Sequence, residues 1–267
     1  MNIILILKAL AVIGIVGIIV GLFLGIASVI FKVEKDERVD AVLKALPGNN
    51  CGGCGYPGCE GLANAIVKNE AKVNQCPVGG DKVGNEIAKI MGKEADEGVK
   101  KVAFVACHAH CDDISVDYEY YGVNDCRMLS FVPNQGPKSC KNGCLGFGSC
   151  VKVCPFDAIH IEDGVAVVDR IKCKACGKCV AICPKHLISL VPYNAKFAVA
   201  CSNTQKGAIS AKQCNVSCVG CGMCQKNCPN EACAVNDFVA KIDYEKCKNC
   251  GVCAEKCPRK CIIKMYE

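Results

Sequence analysis

Between Cys140 and Cys261 the chain repeats one cysteine pattern four times, and thiols so closely spaced are suited to gripping metal. Three copies are regular: Cys173-Lys-Ala-Cys176-Gly-Lys-Cys179-Val-Ala-Ile-Cys183-Pro184, Cys218-Val-Gly-Cys221-Gly-Met-Cys224-Gln-Lys-Asn-Cys228-Pro229 and Cys247-Lys-Asn-Cys250-Gly-Val-Cys253-Ala-Glu-Lys-Cys257-Pro258. Each reads C-x2-C-x2-C-x3-C-P. Three thiolates two residues apart on a tight loop can hold three irons of one [4Fe–4S] cubane, while the fourth, carried onto the following helix, points to the cluster of the paired run. Short steps between cysteines also leave backbone N–H groups free to hydrogen-bond the cluster sulfides. Zinc favours pairs of C-x2-C instead, and a disulfide framework suits smaller chains that cannot bury a core, so both are weaker readings.

The crossover rule then gives a ligand map. Cys218, Cys221 and Cys224 take Cys257, and Cys247, Cys250 and Cys253 take Cys228. Cys173, Cys176 and Cys179 take Cys154, which leaves Cys183 for the first run. That run is irregular, Cys140-Lys-Asn-Gly-Cys144-Leu-Gly-Phe147-Gly-Ser-Cys150-Val-Lys-Val-Cys154-Pro155, with Phe147 standing where Cys221 stands later. Either Cys140 swings in to join Cys144, Cys150 and Cys183, or three cysteines hold a cluster with a labile iron. A complete cubane needs four ligands, which favours Cys140.

A further set lies upstream. Cys51-Gly-Gly-Cys54-Gly-Tyr-Pro-Gly-Cys59, followed by Cys76-Pro77, has C-x2-C-x4-C-x16-C spacing, with glycines that let the loop wrap a fifth [4Fe–4S] cluster. Cys107, Cys111 and Cys126, together with Cys140 or Cys201, are candidates for a sixth, against the alternative that they are small buried hydrophobes. His108 and His110 read as turn residues.

The elements that must position these thiols are short. Val39, Val42, Leu43 and Leu46 have helical spacing ended by Pro47-Gly48, and Val83, Ile87 and Ile90 predict a helix closing the Cys51–Cys76 unit. The stretch 101–106 predicts a buried strand ending at Cys107, and 196–200 a related strand ending at Cys201. The repeat is therefore strand, cysteine, intervening segment, cassette. Residues 158–168 and 232–242 predict β-hairpins, in which Cys233 and Cys261 read as packing residues.

At the amino end, Ala9 to Phe31 carries no charge and is long enough, at about 1.5 Å per residue, to span a bilayer as a helix. Gly17, Gly21 and Gly25 share one face, which suits either a partner helix or lipid. Lys8 precedes the span, while Lys32, Lys35, Arg38 and Lys44 follow it, so the cluster domains are expected on the cytoplasmic side of the cell membrane. The expected class is α+β: a transmembrane anchor (1–31), a helical [4Fe–4S] domain (32–92), a strand-containing connector (93–139), and two dicluster ferredoxin-like modules (140–195 and 196–267).

The chain has 267 residues, 27 cysteines and no tryptophan, which fits small modules with largely inorganic cores in a reducing compartment. Its formal charge of +6 misleads. Each cluster with four thiolates carries about −2, so five would bring the loaded chain to about −4. Nothing in that balance, and no basic run with aromatics, supports nucleic-acid binding.

Taken together, the anchor, the CGGCGYPGC run with its CP, and the doubled cassette resemble the B subunit of the Rnf-type ion-translocating electron transport complex, in its long, clostridial-type form. The resemblance implies an electron-transfer subunit that takes electrons from soluble reduced ferredoxin. It passes them toward partner subunits that reduce NAD, coupled to translocation of Na⁺ or H⁺. The chain has no Rossmann G-x-G-x-x-G after a strand and no P-loop, so no catalytic side chain of its own is expected. The alternative is a membrane-anchored iron–sulfur redox sensor or scaffold.

Overall fold

The computed structural model describes residues 3–30, 36–94 and 98–266, with side chains in the first stretch described from Ile13 to Ala27. Helix α1 (Ile3–Ile30) is built from Ile, Leu, Val, Ala and Gly, and its described apolar side chains from Ile13 to Ile26 are exposed. Among the described residues, no helix is long and apolar enough to cross a membrane. The anchor expected over 1–31 lies partly outside those residues and draws no support from them.

Three helices build the first cluster-bearing unit. Helix α2 (Glu37–Ala45) starts at Asp36, whose carboxylate accepts the Arg38 N–H at 2.9 Å, and acidic residues in its first turn and Lys44 in its last suit the helix dipole. Helix α3 (Gly58–Val67) buries Leu62, Ala63 and Ile66, and α4 (Gly80–Met91) buries Ile87 and Ala88 before ending at Gly92 in the left-handed conformation. Val42, Leu46, Leu62, Ile66 and Ile87 meet in one core. It takes in the buried Cys76, with Cys54 and Cys59 packed against it.

The next unit runs from β1 (Lys101–Val105) through α5 (Ser149–Lys152), the hairpin β2 (Ile159–Glu162) and β3 (Val165–Val168), and α6 (Lys178–Ile182) to β4 (Ile188–Pro192). Strand β1 pairs antiparallel with β4, Lys101 opposite Pro192 and Val105 opposite Ile188. The hairpin turns at Asp163 and Gly164, both at positive φ, as a tight two-residue turn requires. The last unit repeats this plan with β5 (Phe197–Val199), α7 (Gly207–Gln213), α8 (Met223–Lys226), β6 (Cys233–Asn236), β7 (Val239–Ile242), α9 (Val252–Glu255) and β8 (Ile262–Lys264). Here β5 pairs with β8, and β6 with β7.

The segment expected as a connector over 93–139 supplies β1, the outer strand of the first module, so a cut at residue 140 would split a two-stranded sheet. The intervening 111–137 region, with no counterpart of its length in the second module, lies along the first cassette. Val116 bridges to Lys138, and Lys152 Nζ donates to the Asn124 carbonyl at 3.0 Å.

The amino-terminal unit docks on the first module through a close backbone approach. A Cβ placed on Gly53 would lie 2.6 Å from the Cys176 carbonyl oxygen and 2.9 Å from its Cα. Gly53→Ala is therefore expected to prise the two units apart without removing any thiol. Limited proteolysis within 92–100 should speed up while iron content holds; unchanged cleavage would show that this contact does not hold the units together.

Candidate metal centres

Each cassette loop is shaped by backbone before any metal enters. The residue before each central cysteine position is left-handed (Gly146, Ala175, Gly220, Asn249), and so is the glycine after it (Gly148, Gly177, Gly222, Gly251). The third residue after each C-P cysteine is left-handed too (Asp157, His186, Glu231, Lys260). Such conformations cost energy for residues other than glycine and persist where the surroundings impose them. They curl the loop so that successive thiols converge while backbone N–H groups turn inward.

Several of those N–H groups point at sulfur. Ala175 and Ala103 donate to Cys173 Sγ at 3.4 and 3.5 Å, Ala158 to Cys154 at 3.4 Å, Ala232 to Cys228 at 3.3 Å, Asn249 to Cys247 at 3.5 Å, and Gly79 to Cys76 at 3.4 Å. Donors of this kind stabilise thiolate and the extra electron of a reduced cluster. Burial works the other way before metal binds. It pushes the thiols of Cys150 and Cys179 up to about 12 and that of Cys224 to about 11, so they are neutral until metal displaces the proton.

The predicted groupings can be followed thiol by thiol. Cys154, Cys173 and Cys176 are near neighbours of Cys179. Cys218, Cys221, Cys224 and Cys257 line one cavity. Cys253 stands with Cys228 around the buried Cys233, and Cys247 joins Cys253 beside Tyr244, whose hydroxyl burial pushes up to about 12. Cys250 lies on the exposed side of that loop. In the amino-terminal unit Cys51 and Cys54 face Cys76, and Cys59 packs into the same core. Cys51 is also a near neighbour of Cys176, across the Gly53 contact.

Cys233 and Cys261, expected as packing residues, are buried, and each sits against ligand sulfurs. Cys261 Sγ is 3.6 Å from Cys257 Sγ. Its thiol hydrogen-bonds Cys218 and Cys257, which favours their thiolates and keeps Cys261 protonated.

The irregular first run departs from expectation. Cys144, Cys150 and Cys183 line one cavity, and the fourth cysteine on its wall is Cys126, not Cys140. Cys140 is turned the other way, toward Cys107, Cys201 and Cys214. The reason lies in Phe147, whose ring packs edge-on against Tyr120 at 5.7 Å and so holds the 111–137 segment on the cassette. Ser149 completes the strap: its hydroxyl accepts the Cys126 N–H at 2.8 Å and donates to Asp125 at 2.9 Å. Arg127 lies beside Asp125 and holds its carboxyl well below the usual range. The buried Lys138, bonded to the Gly164 carbonyl at 2.8 Å, adds positive charge near Cys144.

One signal for Cys126 was present in the sequence. The half that lacks a cassette cysteine is also the half that carries an insertion containing one. Cys111 is exposed, its thiol donating to the Asp163 carbonyl at 3.2 Å. His108 Nδ1 sits 3.1 Å from the Ala200 carbonyl oxygen. Among the described residues, no group of three or more His, Cys, Asp or Glu side chains is arranged to hold a single metal ion.

Paired strands framing a hairpin, doubled cysteine cassettes and sulfur-directed N–H groups define an iron–sulfur protein of the dicluster-ferredoxin class. Residues 134–184 and 172–232 match families described as 4Fe-4S dicluster domain, residues 240–263 a 4Fe-4S binding domain, and residues 46–78 an Fe-S cluster family. The chain is 48% identical to the B subunit of the Na(+)-translocating ferredoxin:NAD(+) oxidoreductase complex of Acetobacterium woodii, over 90% of this chain and 72% of that one. It is 40% identical to the B subunit of the ion-translocating oxidoreductase complex of Methanosarcina acetivorans, over 90% of this chain and 91% of that one. It is also 40% identical to the B subunit of the proton-translocating ferredoxin:NAD(+) oxidoreductase complex of Clostridium ljungdahlii, over 89% and 84%. The chain belongs to the family of B subunits of Rnf-type ion-translocating oxidoreductase complexes.

Exchange of ligands at the first run can be tested by rescue. Cys126→Ser should cost about four irons per chain. Adding Phe147→Cys, which restores the regular cassette, should return them; a Cys126→Ser chain with full iron would remove Cys126 from the site.

Proposed function

We propose that this chain is the iron–sulfur electron-transfer subunit of a membrane complex that moves electrons from reduced ferredoxin to NAD and couples the transfer to ion translocation. The observation that carries the reading is the order of the thiol sets. Cys51 lies beside Cys176, and Cys176 shares a site with Cys154, the cysteine that closes the irregular run. The amino-terminal set thus adjoins the Cys154–Cys179 set, which in turn adjoins the irregular run, and such a succession suits a one-electron relay.

Bound [4Fe–4S] clusters supply reversible one-electron storage. The chain's own residues do the rest. Four thiolates fix each site, backbone N–H groups ease the added negative charge, and Ala, Val and Ile side chains from the hairpins exclude water. Five sets follow: Cys51, Cys54, Cys59 and Cys76; Cys154, Cys173, Cys176 and Cys179; Cys126, Cys144, Cys150 and Cys183; Cys218, Cys221, Cys224 and Cys257; and Cys228, Cys247, Cys250 and Cys253. With no nucleotide motif in the chain, NAD reduction falls to a partner subunit, where NAD⁺ takes two electrons and a proton from two successive one-electron deliveries.

The uncharged run from Ala9 to Phe31 is proposed as a single-pass anchor, with the basic residues after it keeping the cluster domains on the cytoplasmic face. Within the complex, Cys51→Ser should abolish ferredoxin-driven NAD reduction while the other sites keep their iron. A chain lacking residues 1–31 should still accept electrons from reduced ferredoxin in solution but lose ion-coupled activity on membranes. Unchanged activity of Cys51→Ser would take the amino-terminal site out of the path.

A further inference from the structure

Four cysteines outside those five sets come together where the two modules meet. Cys107 follows β1 and Cys201 follows β5, while Cys140 and Cys214 each stand four residues before the first thiol of a cassette. They are two copies of one pair, and the fold brings both copies to a single cavity, lined by all four. This cavity and the one lined by Cys218 and Cys257 are of similar size.

The lining resembles that of the regular sites. Backbone N–H groups two residues on, from Asn142, Asn203 and Val216, hydrogen-bond Cys140, Cys201 and Cys214, as the Ala175 N–H does Cys173. Asn203, only 1% exposed, aims its side-chain N–H at Cys140 Sγ at 3.5 Å and is oriented by Gln213 and by the Gln205 N–H. The segment bearing Cys214 is locked by two buried hydroxyls, Ser210 donating to the Cys218 carbonyl at 2.7 Å and Ser217 to the Ser210 carbonyl at 2.9 Å. Four free thiols, a buried amide and inward N–H groups are an expensive arrangement for mere packing, since buried polar groups cost energy unless partnered.

We propose that Cys107, Cys140, Cys201 and Cys214 hold a sixth [4Fe–4S] cluster at the junction of the two modules. This rests on the reading of the chain as a multi-cluster carrier and extends it. The site touches both neighbours through sulfur-directed bonds: the Cys144 N–H donates to Cys107 Sγ at 3.4 Å, and the Cys218 N–H to Cys201 Sγ at 3.3 Å. Cys144 belongs to the last set of the first module's path and Cys218 to the first set of the second. The junction site is thus the step that makes two ferredoxin-like modules one conductor, and it contributes no net chemistry beyond passing single electrons from the Cys144 side to the Cys218 side.

Iron and acid-labile sulfide should be counted in the anaerobically isolated full chain. About 24 of each are expected, four for every site; about 20 would overturn the junction site while leaving five sites standing, and stoichiometric zinc with little sulfide would overturn both readings. Cys201→Ser and Cys214→Ser should each lower the count by about four, and the double variant by no more than either. Cys111→Ser should lose none. Single variants with full iron, or a double variant lacking about eight, would show that these cysteines do not share one cluster.

Discussion

Convergence of sulfur on inward backbone N–H groups is the constraint on which the two modules depend. Their sheets are four separate two-stranded pairs, and the buried side chains around them are mainly alanine, valine, isoleucine and cysteine. So little apolar area is marginal for a stable core, and metal binding to thiols supplies folding free energy where the core does not. The helical unit differs: Leu62, Ile66, Ile87 and Val42 form a conventional core, which also holds the buried Cys76. The recurring left-handed positions follow from the same constraint. A loop that must present three thiols to one centre has to turn more sharply than ordinary backbone allows, and Ala175, Asn249, His186 and Lys260 accept that strain in the absence of glycine.

The doubled architecture explains how one half could change a ligand without losing a site. The first cassette keeps the backbone of its counterparts at Gly146, Gly148 and Asp157 even though Phe147 replaces a cysteine. What the position lost in sulfur it gained in packing, since the ring clamps the inserted segment through Tyr120, and that segment brings Cys126 to the same cavity. Cys140 is then free to face its symmetry-related partner Cys214. The two departures from the simple repeat, a missing cysteine and surplus strand-end cysteines, therefore have one structural cause.

Much of this was legible in the sequence, for physical reasons that differ by element. The regular cassettes were, because ligand spacing within one loop is local geometry. So were the hairpins and the α4 helix, whose periodicity and turn residues are local as well. The presence of Cys126 on the cavity wall of the irregular run was not, because it depends on where a long insertion folds back, and no local pattern encodes the meeting of Tyr120 with Phe147. The pairing of β1 with β4 was not legible for a similar reason: the two are distant in sequence, and only their register shows that they form one sheet. The gathering of Cys107, Cys140, Cys201 and Cys214 needs both modules at once, so it lay beyond any reading of one repeat.

We read the thiol sets as close enough in series to act as a single conductor from the amino-terminal unit to the carboxy-terminal cassette. EPR of the intact chain, reduced stepwise under anaerobic conditions, tests it most directly. Reduced clusters held at neighbouring sites couple magnetically, so the fully reduced chain should give broad, interacting signals, with no member, including the Cys51–Cys76 site, left as an isolated spectrum. A spectrum that remains a simple sum of independent clusters up to full reduction would contradict the account.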